Sequence, residues 1–260
     1  MKILASGNPP AMATGKSKGV AVISKNIIKN KKLANDIQFK FLVLGLAFLC
    51  LLTPTRTLAQ TQNAPILLVE LFTSSGCPAC PPADRNFNQL IENPNIIGLS
   101  CHVTYFDRGH RRDHLSKPFC DARQNIYKLA LRTGGIFTPM TVVNGQRYTT
   151  GKKISDTKSL INNAQNSAYQ SVGFHQNGQY LDISLPRMPV GSGADIWLVE
   201  VKKRDGRFRN AVTNITKLLR WDGSPLNMAF PVSAPNANTG YALVIQSYKG
   251  GVITAAKTNF

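Results

Sequence analysis

Val69-Glu70-Leu71-Phe72-Thr73-Ser74-Ser75-Gly76-Cys77-Pro78-Ala79-Cys80-Pro81-Pro82-Ala83-Asp84 decides the fold. From Pro65 to Phe72 the apolar residues Ile66, Leu67, Leu68, Val69, Leu71 and Phe72 run almost without a break, the pattern of a buried strand. Thr73-Ser74-Ser75-Gly76 then turns the chain. Pro81 and Pro82 are tolerated only in a first helical turn, where their missing N–H groups are not needed. A helix is therefore expected to begin around Cys77 to Pro82, with Phe87, Leu90 and Ile91 on its apolar face. Two cysteines three apart at a helix start lie where unpaired N–H groups and the positive end of the helix dipole favour thiolate. In that geometry Cys77 is expected to be exposed and Cys80 to lie one turn further in, partly covered. The outer sulfur attacks a disulfide and the inner one resolves the product. Pro78-Ala79 between them leaves the redox poise open. A zinc half-site would need a second Cys or His pair at similar spacing, which the sequence lacks; a static disulfide is the remaining reading.

Outward from this stretch, Ile97, Leu99, Cys101, Val103 and Tyr105 alternate with Gly98, Ser100, His102 and Thr104, the period of a strand, so Cys101 and His102 face opposite sides. A polar loop, Asp107 to Lys117, leads to a helix starting at Pro118, with Phe119, Ala122, Ile126, Leu129 and Ala130 as its expected buried stripe and Gly134-Gly135 ending it. Met140 to Val143, Asn144-Gly145 and Gln146 to Thr150 read as a hairpin, because both central residues of a type I′ turn need positive φ. Ser155 is the expected cap of a third helix carrying Leu160, Ile161 and Ala164. The order gives an α/β fold, a mixed sheet with flanking helices, over residues 60–170. After a boundary at Gln170 to Gln179 the pattern changes to short strands: Tyr180 to Leu185, Ile196 to Val201, Thr213 to Leu219, Tyr241 to Ser247 and Val252 to Ala255. Residues 171–260 thus read as a small antiparallel β domain.

Residues 1–59 have the parts of a signal peptide: lysines including Lys25, Lys29, Lys31, Lys32 and Lys40, an apolar run from Phe41 to Leu52, and Thr57-Leu58-Ala59 before a cleavage expected at Gln60. The apolar run is shorter than the roughly 20 residues of a spanning helix. The mature protein is therefore expected in the periplasm or secreted, meeting membrane only through an uncleaved leader. Removing the leader takes Cys50 and leaves Cys77, Cys80, Cys101 and Cys120. An even count in an oxidising compartment permits disulfides, so Cys101 and Cys120 are either a second bridge or two free buried thiols.

The chain of 260 residues carries a formal charge of +18. Beyond the leader 22 basic and 12 acidic residues remain. This charge is scattered apart from Arg108, Arg111, Arg112 and Lys202, Lys203, Arg204, Arg207, Arg209. Without a nucleic-acid motif or interleaved aromatic platform these read as solvated loops, with no nucleic-acid partner; an anionic membrane face or an acidic partner is the alternative.

The opening stretch closely resembles the signature of the DUF1223 family of exported, thioredoxin-like bacterial proteins. Further matches are His102-Val103, Tyr105, Asp107, Arg123-Gln124, Tyr127 and Thr138-Pro139, and the resemblance runs from about Pro65 to the end. Where the family usually has an aromatic before His-Val this chain has Cys101, and where it commonly has Asp-Tyr-Trp it has Thr104-Tyr105-Phe106. The resemblance implies a thioredoxin-like sheet and export, and names no activity. Thioredoxin-like proteins place a cis-proline against the redox pair, which here would be Thr138-Pro139; the exposed backbone before it can pair with a bound peptide, and an ordinary trans turn is the alternative.

Glu70 is a charged residue in an apolar strand. Buried, it would trade a proton with the inner thiol, as a carboxylate does in thioredoxins; outward-facing or salt-bridged, it would not. His102, His110 and His114 could join Cys77 and Cys80 as copper ligands, or serve as structural and solvent-facing residues. The expected function is an exported thiol–disulfide oxidoreductase without cofactor or metal, acting through Cys77 and Cys80 on a protein or small-molecule thiol or disulfide, with Glu70, Pro78, Thr138 and Pro139 in support. A copper-delivery module and a non-catalytic interaction protein with a structural disulfide are the alternatives. The redox partner is not legible.

Overall fold

A computed structural model describes residues 67–109, 112–164 and 170–260. The leader, its cleavage site, Cys50, His110 and Arg111 lie outside the described residues. Strand β1 (Leu67–Thr73) is buried along its whole length because it lies inside the sheet, parallel to β2 (Ile96–His102) and antiparallel to β3 (Met140–Val143). Its alternation divides the molecule. Leu67, Val69 and Leu71 pack under helix α1 (Pro81–Leu90) with Ala83, Phe87 and Leu90, and under α3 (Ile154–Ala164) with Ile161. Leu68 and Phe72 face helix α2 (Pro118–Leu131) with Cys120 and Tyr127. Asn144 (φ 48°) and Gly145 (φ 64°) turn β3 into β4 (Arg147–Thr149) with the positive φ a type I′ turn requires. Ser155 lies inside the first turn of α3, which begins one residue earlier, at Ile154. The expected α/β arrangement, a mixed sheet with flanking helices, is therefore present.

The antiparallel β region is also present, and it extends the same sheet. Strands β7 (Ala194–Asp205), β8 (Phe208–Trp221), β10 (Thr239–Ser247) and β11 (Val252–Lys257) complete the order β11-β10-β7-β8-β2-β1-β3-β4. The join is one parallel register pair, Ser100 with Ala211. Asn210, in the left-handed region at φ 50°, donates from its amide to Gly98 O at 3.1 Å. Gly98 is required on the opposite side: a Cβ there would meet Phe87 Cζ at 2.9 Å. Strands β5 (Gly173–Asn177), β6 (Tyr180–Leu185) and β9 (Leu226–Pro231) form a second antiparallel sheet that packs Ile183 and Leu185 on Ile196, Leu243 and Ile245. β5 occupies the stretch read from sequence as a boundary. The large sheet curls enough for Val252 N–H to donate to Asn144 O at 2.9 Å and Lys257 Nζ to Ile96 O at 3.1 Å. One apolar core runs from Leu68 and Phe72 through Val199 and Val212 to Val244 and Ala255.

Helix α2 corrects an expectation. Its buried residues are Cys120, Arg123, Gln124 and Tyr127, whereas Ile126 is partly exposed and Leu129 is 77% exposed. The apolar stripe lost because Arg123 has a buried partner in Glu70, which sequence periodicity does not weigh. Arg132 at φ 53° provides the left-handed cap ahead of Gly134-Gly135.

Candidate redox site

Cys80 is the N-cap of α1, so Pro81 and Pro82 occupy its first two positions. Neither has an N–H. The hydrogen-bond part of the expected thiolate stabilisation is reduced to what Ala83 can offer, leaving mainly the helix dipole. Cys77 donates its N–H to Ser74 O at 3.1 Å, and Cys80 donates to Cys77 O at 3.3 Å, a tight turn that brings the two sulfurs into a disulfide. Pro78 and Ala79 are exposed, but Cys77 is only 3% exposed and Cys80 is 0%. The expected exposure of Cys77 is thus not found in the oxidised form. The Ser74 bond turns the residue inward, and the loop after β2 leans on Gly76, where a Cβ would lie 3.4 Å from Phe106 O.

The Thr138-Pro139 bond is cis. Because Met140 pairs with Phe72, this peptide lies beside the end of β1, just before the Cys77 turn. Gln124 Nε2 donates to Phe137 O at 2.7 Å and holds the segment in place. Glu70 is salt-bridged: both its oxygens accept hydrogen bonds from Arg123, and Tyr127 donates to it as well. It points to the α2 side of the sheet with Leu68 and Phe72. Gln246 Nε2 donates to Tyr127 Oη at 3.3 Å, tying the network to β10.

The carboxyl on the α1 side is Asp84, which sequence pattern alone does not single out. Thr73 Oγ1 donates to Asp84 Oδ1 at 2.7 Å, while Oδ2 is buried without a partner. Burial pushes this carboxyl above its usual value, offset in part by the Thr73 hydroxyl. Thr73 lies in register with His102. His102 Nδ1 bonds Asp113 Oδ2 at 2.7 Å and its Nε2 lies 3.2 Å from Ser100 Oγ, all three side chains being buried. Asp113 also accepts from Ser75 N–H at 2.7 Å and Leu115 N–H at 3.0 Å. Burial alone would raise its pKa, but His102 and these N–H groups hold it well below the usual carboxylate range. The Asp113 carboxylate therefore fixes the turn two residues before Cys77. The available signal was the placement of His102 opposite Cys101 on a half-apolar strand, since a buried imidazole needs a partner.

Cys101 and Cys120 form a second disulfide in the α2-side core, among Phe72, Tyr127 and Met140. It closes a loop of sequence separation 19, which Thr104 also secures by donating its N–H to Asp121 Oδ1 at 2.9 Å. Replacing both cysteines with alanine is expected to cost about 3 kcal/mol through the freed loop. Thermal unfolding should read this as a lower Tm; an unchanged Tm would remove the bridge's structural role. Among the described residues no three His, Cys, Asp or Glu side chains are grouped as metal ligands, and His114 lies instead 3.1 Å from Asp205.

No curated protein matches the chain. A crystal structure of a protein from Agrobacterium tumefaciens is similar in fold, with a TM-score of 0.66 and 24% identity over 75% of this chain and 94% of that one. The family model described as "Protein of unknown function (DUF1223)" matches residues 68–246, and the chain belongs to that family.

Proposed function

We propose that the protein is an exported thiol–disulfide oxidoreductase acting through Cys77 and Cys80. The observation that carries the reading is the Cys77–Cys80 disulfide at the start of α1, directly after the buried strand β1. In the reducing direction the Cys77 thiolate attacks a substrate disulfide, forming a mixed disulfide and releasing one substrate thiolate. The Cys80 thiolate then attacks the Cys77 sulfur, closes the intramolecular bond and releases the second thiolate. The substrate gains two electrons and the cysteine pair loses them; the reverse sequence oxidises a dithiol. Cys80 must lose a proton before it attacks. Asp84, one helical turn on and with one buried carboxyl oxygen unpartnered, is the acceptor we assign to that proton. Both Glu70 oxygens are already engaged by Arg123 and Tyr127.

Equilibration of the protein in graded thiol–disulfide buffers, followed by alkylation and intact mass, tests the reading. The fraction of protein that takes two alkyl groups, at Cys77 and Cys80 together, should rise and fall reversibly with the buffer's reducing strength, while Cys101 and Cys120 stay bonded. A Cys77–Cys80 pair that remains oxidised until the protein unfolds would make the bridge structural and end the proposal. Among the described residues no helix is long and apolar enough to cross a membrane. Export is part of the proposal and is carried by the leader's composition.

A further inference from the structure

The loop after β2, which contacts the turn before Cys77, and the β7–β8 hairpin, about a hundred residues later in the chain, pack together. The loop after β2 carries Arg108 and Arg112, and the β7–β8 hairpin carries Arg204 and Arg207; all four are exposed. Leu115 of the loop packs with Phe208 and Ala211 of β8, and His114 Nε2 lies 3.1 Å from Asp205 Oδ2. The hairpin also reaches α1, where Asn88 Nδ2 donates to Arg207 O at 2.8 Å, and the Phe208 ring stands edge-on to His102 with centroids 4.6 Å apart. Arg112 immediately precedes Asp113, whose carboxylate holds Ser75. Exposed Arg85 adds a charge on the first turns of α1.

The acids of this region are turned inward or engaged. Asp84 bonds Thr73, Asp113 bonds His102 and Ser75, and Asp107 accepts from Asp113 N–H at 3.0 Å and Ser116 Oγ at 2.6 Å. Asp205 pairs with Lys202 and His114. Among the described residues no carboxylate lies within salt-bridge distance of Arg85, Arg108, Arg112, Arg204 or Arg207. The loop, the hairpin and α1 thus present a surface of exposed arginines without carboxylate partners.

We propose that this surface docks an acidic polypeptide whose disulfide or dithiol is the substrate of Cys77 and Cys80; the inference rests on the oxidoreductase reading. The loop's contact with the turn before Cys77 favours a substrate over a membrane or nucleic acid, since those would gain nothing from fixed charge near the redox turn. Charge steering at this range raises association rates by about 10-fold or more at low salt and fades as the Debye length contracts.

The test uses the reduced full mature chain with two synthetic peptides of equal length. Each contains one disulfide, flanked by glutamates in one and by lysines in the other, and a neutral small-molecule disulfide serves as the reference. The acidic peptide should react about 10-fold faster than the basic one at low salt, with the ratio approaching one at high salt. Arg112→Glu together with Arg207→Glu should bring the ratio to one or below. Equal peptide rates alongside turnover of the neutral disulfide would overturn the docking surface while leaving the oxidoreductase reading in place. No reaction with the neutral disulfide would sink that reading first. Charge-dependent binding to phosphatidylglycerol vesicles with no bias between the peptides would also overturn the proposal, in favour of a membrane face.

Discussion

Cys80→Ser should accumulate mixed disulfides through Cys77 and lower steady-state disulfide exchange by on the order of 10³-fold or more, the scale set by loss of an essential reacting group. On the proposed mechanism, the order of events follows from the flanking residues. Cys80 is fully buried at the N-cap of α1, behind Pro81 and Pro82 and one turn from Asp84. Cys77 is nearly as covered but lies between exposed Gly76 and exposed Pro78. A small outward movement of residues 75–79 therefore presents Cys77 before Cys80. Once a partner is attached at Cys77, only Cys80 is near enough to release it. Cys77→Ser should lose exchange to a similar degree and trap nothing. Peptide mapping of the trapped species decides the assignment: a partner linked through Cys80 would reverse the two roles, and equal trapping by both variants would show that neither sulfur has priority.

The second large effect concerns stability. Glu70 and Arg123 are both buried, on β1 and α2, Tyr127 bonds them both, and Gln246 donates to Tyr127. Burial by itself would lower the Arg123 pKa, but the Glu70 carboxylate and the Tyr127 hydroxyl hold it above the ordinary arginine value. Removing one partner leaves a charge with no water and no counter-ion, which costs about 3–5 kcal/mol. Glu70→Ala or Arg123→Ala should each lower stability by that amount, read by urea unfolding. Glu70→Leu combined with Arg123→Met should recover most of the loss, because hydrophobic replacement of a buried ion pair is often nearly neutral. Tyr127 would keep the bond it accepts from the Gln246 amide but lose Glu70 as the acceptor of its own proton, which is why the recovery is not complete. A double variant as unstable as the sum of the singles would mean that the two residues are not energetically coupled. Exchange at Cys77 and Cys80 should survive wherever the fold does, since this network faces the opposite side of β1 from α1.

What the sequence determined by itself is local. The strand before Cys77, the helix after Pro81, the opposite facing of Cys101 and His102, and the Asn144-Gly145 turn are all set by periodicity or by backbone constraints on residues a few positions apart. What the tertiary structure decided is the identity of partners. Arg123 displaces Ile126 and Leu129 from the buried face of α2 because Glu70 lies across the core, 53 residues earlier in the chain. Asp113 acquires its role from His102, and Asp84 from the Thr73 hydroxyl at the end of β1. The strands after residue 171 were legible as strands, but their attachment to β2 depends on a single register pair and an asparagine in the left-handed region. The loop after β2 and the β7–β8 hairpin meet through Leu115 and Phe208. A buried polar or charged residue declares in sequence that it needs a partner; which residue answers is fixed by chain crossings tens of residues apart, and local pattern carries no record of those.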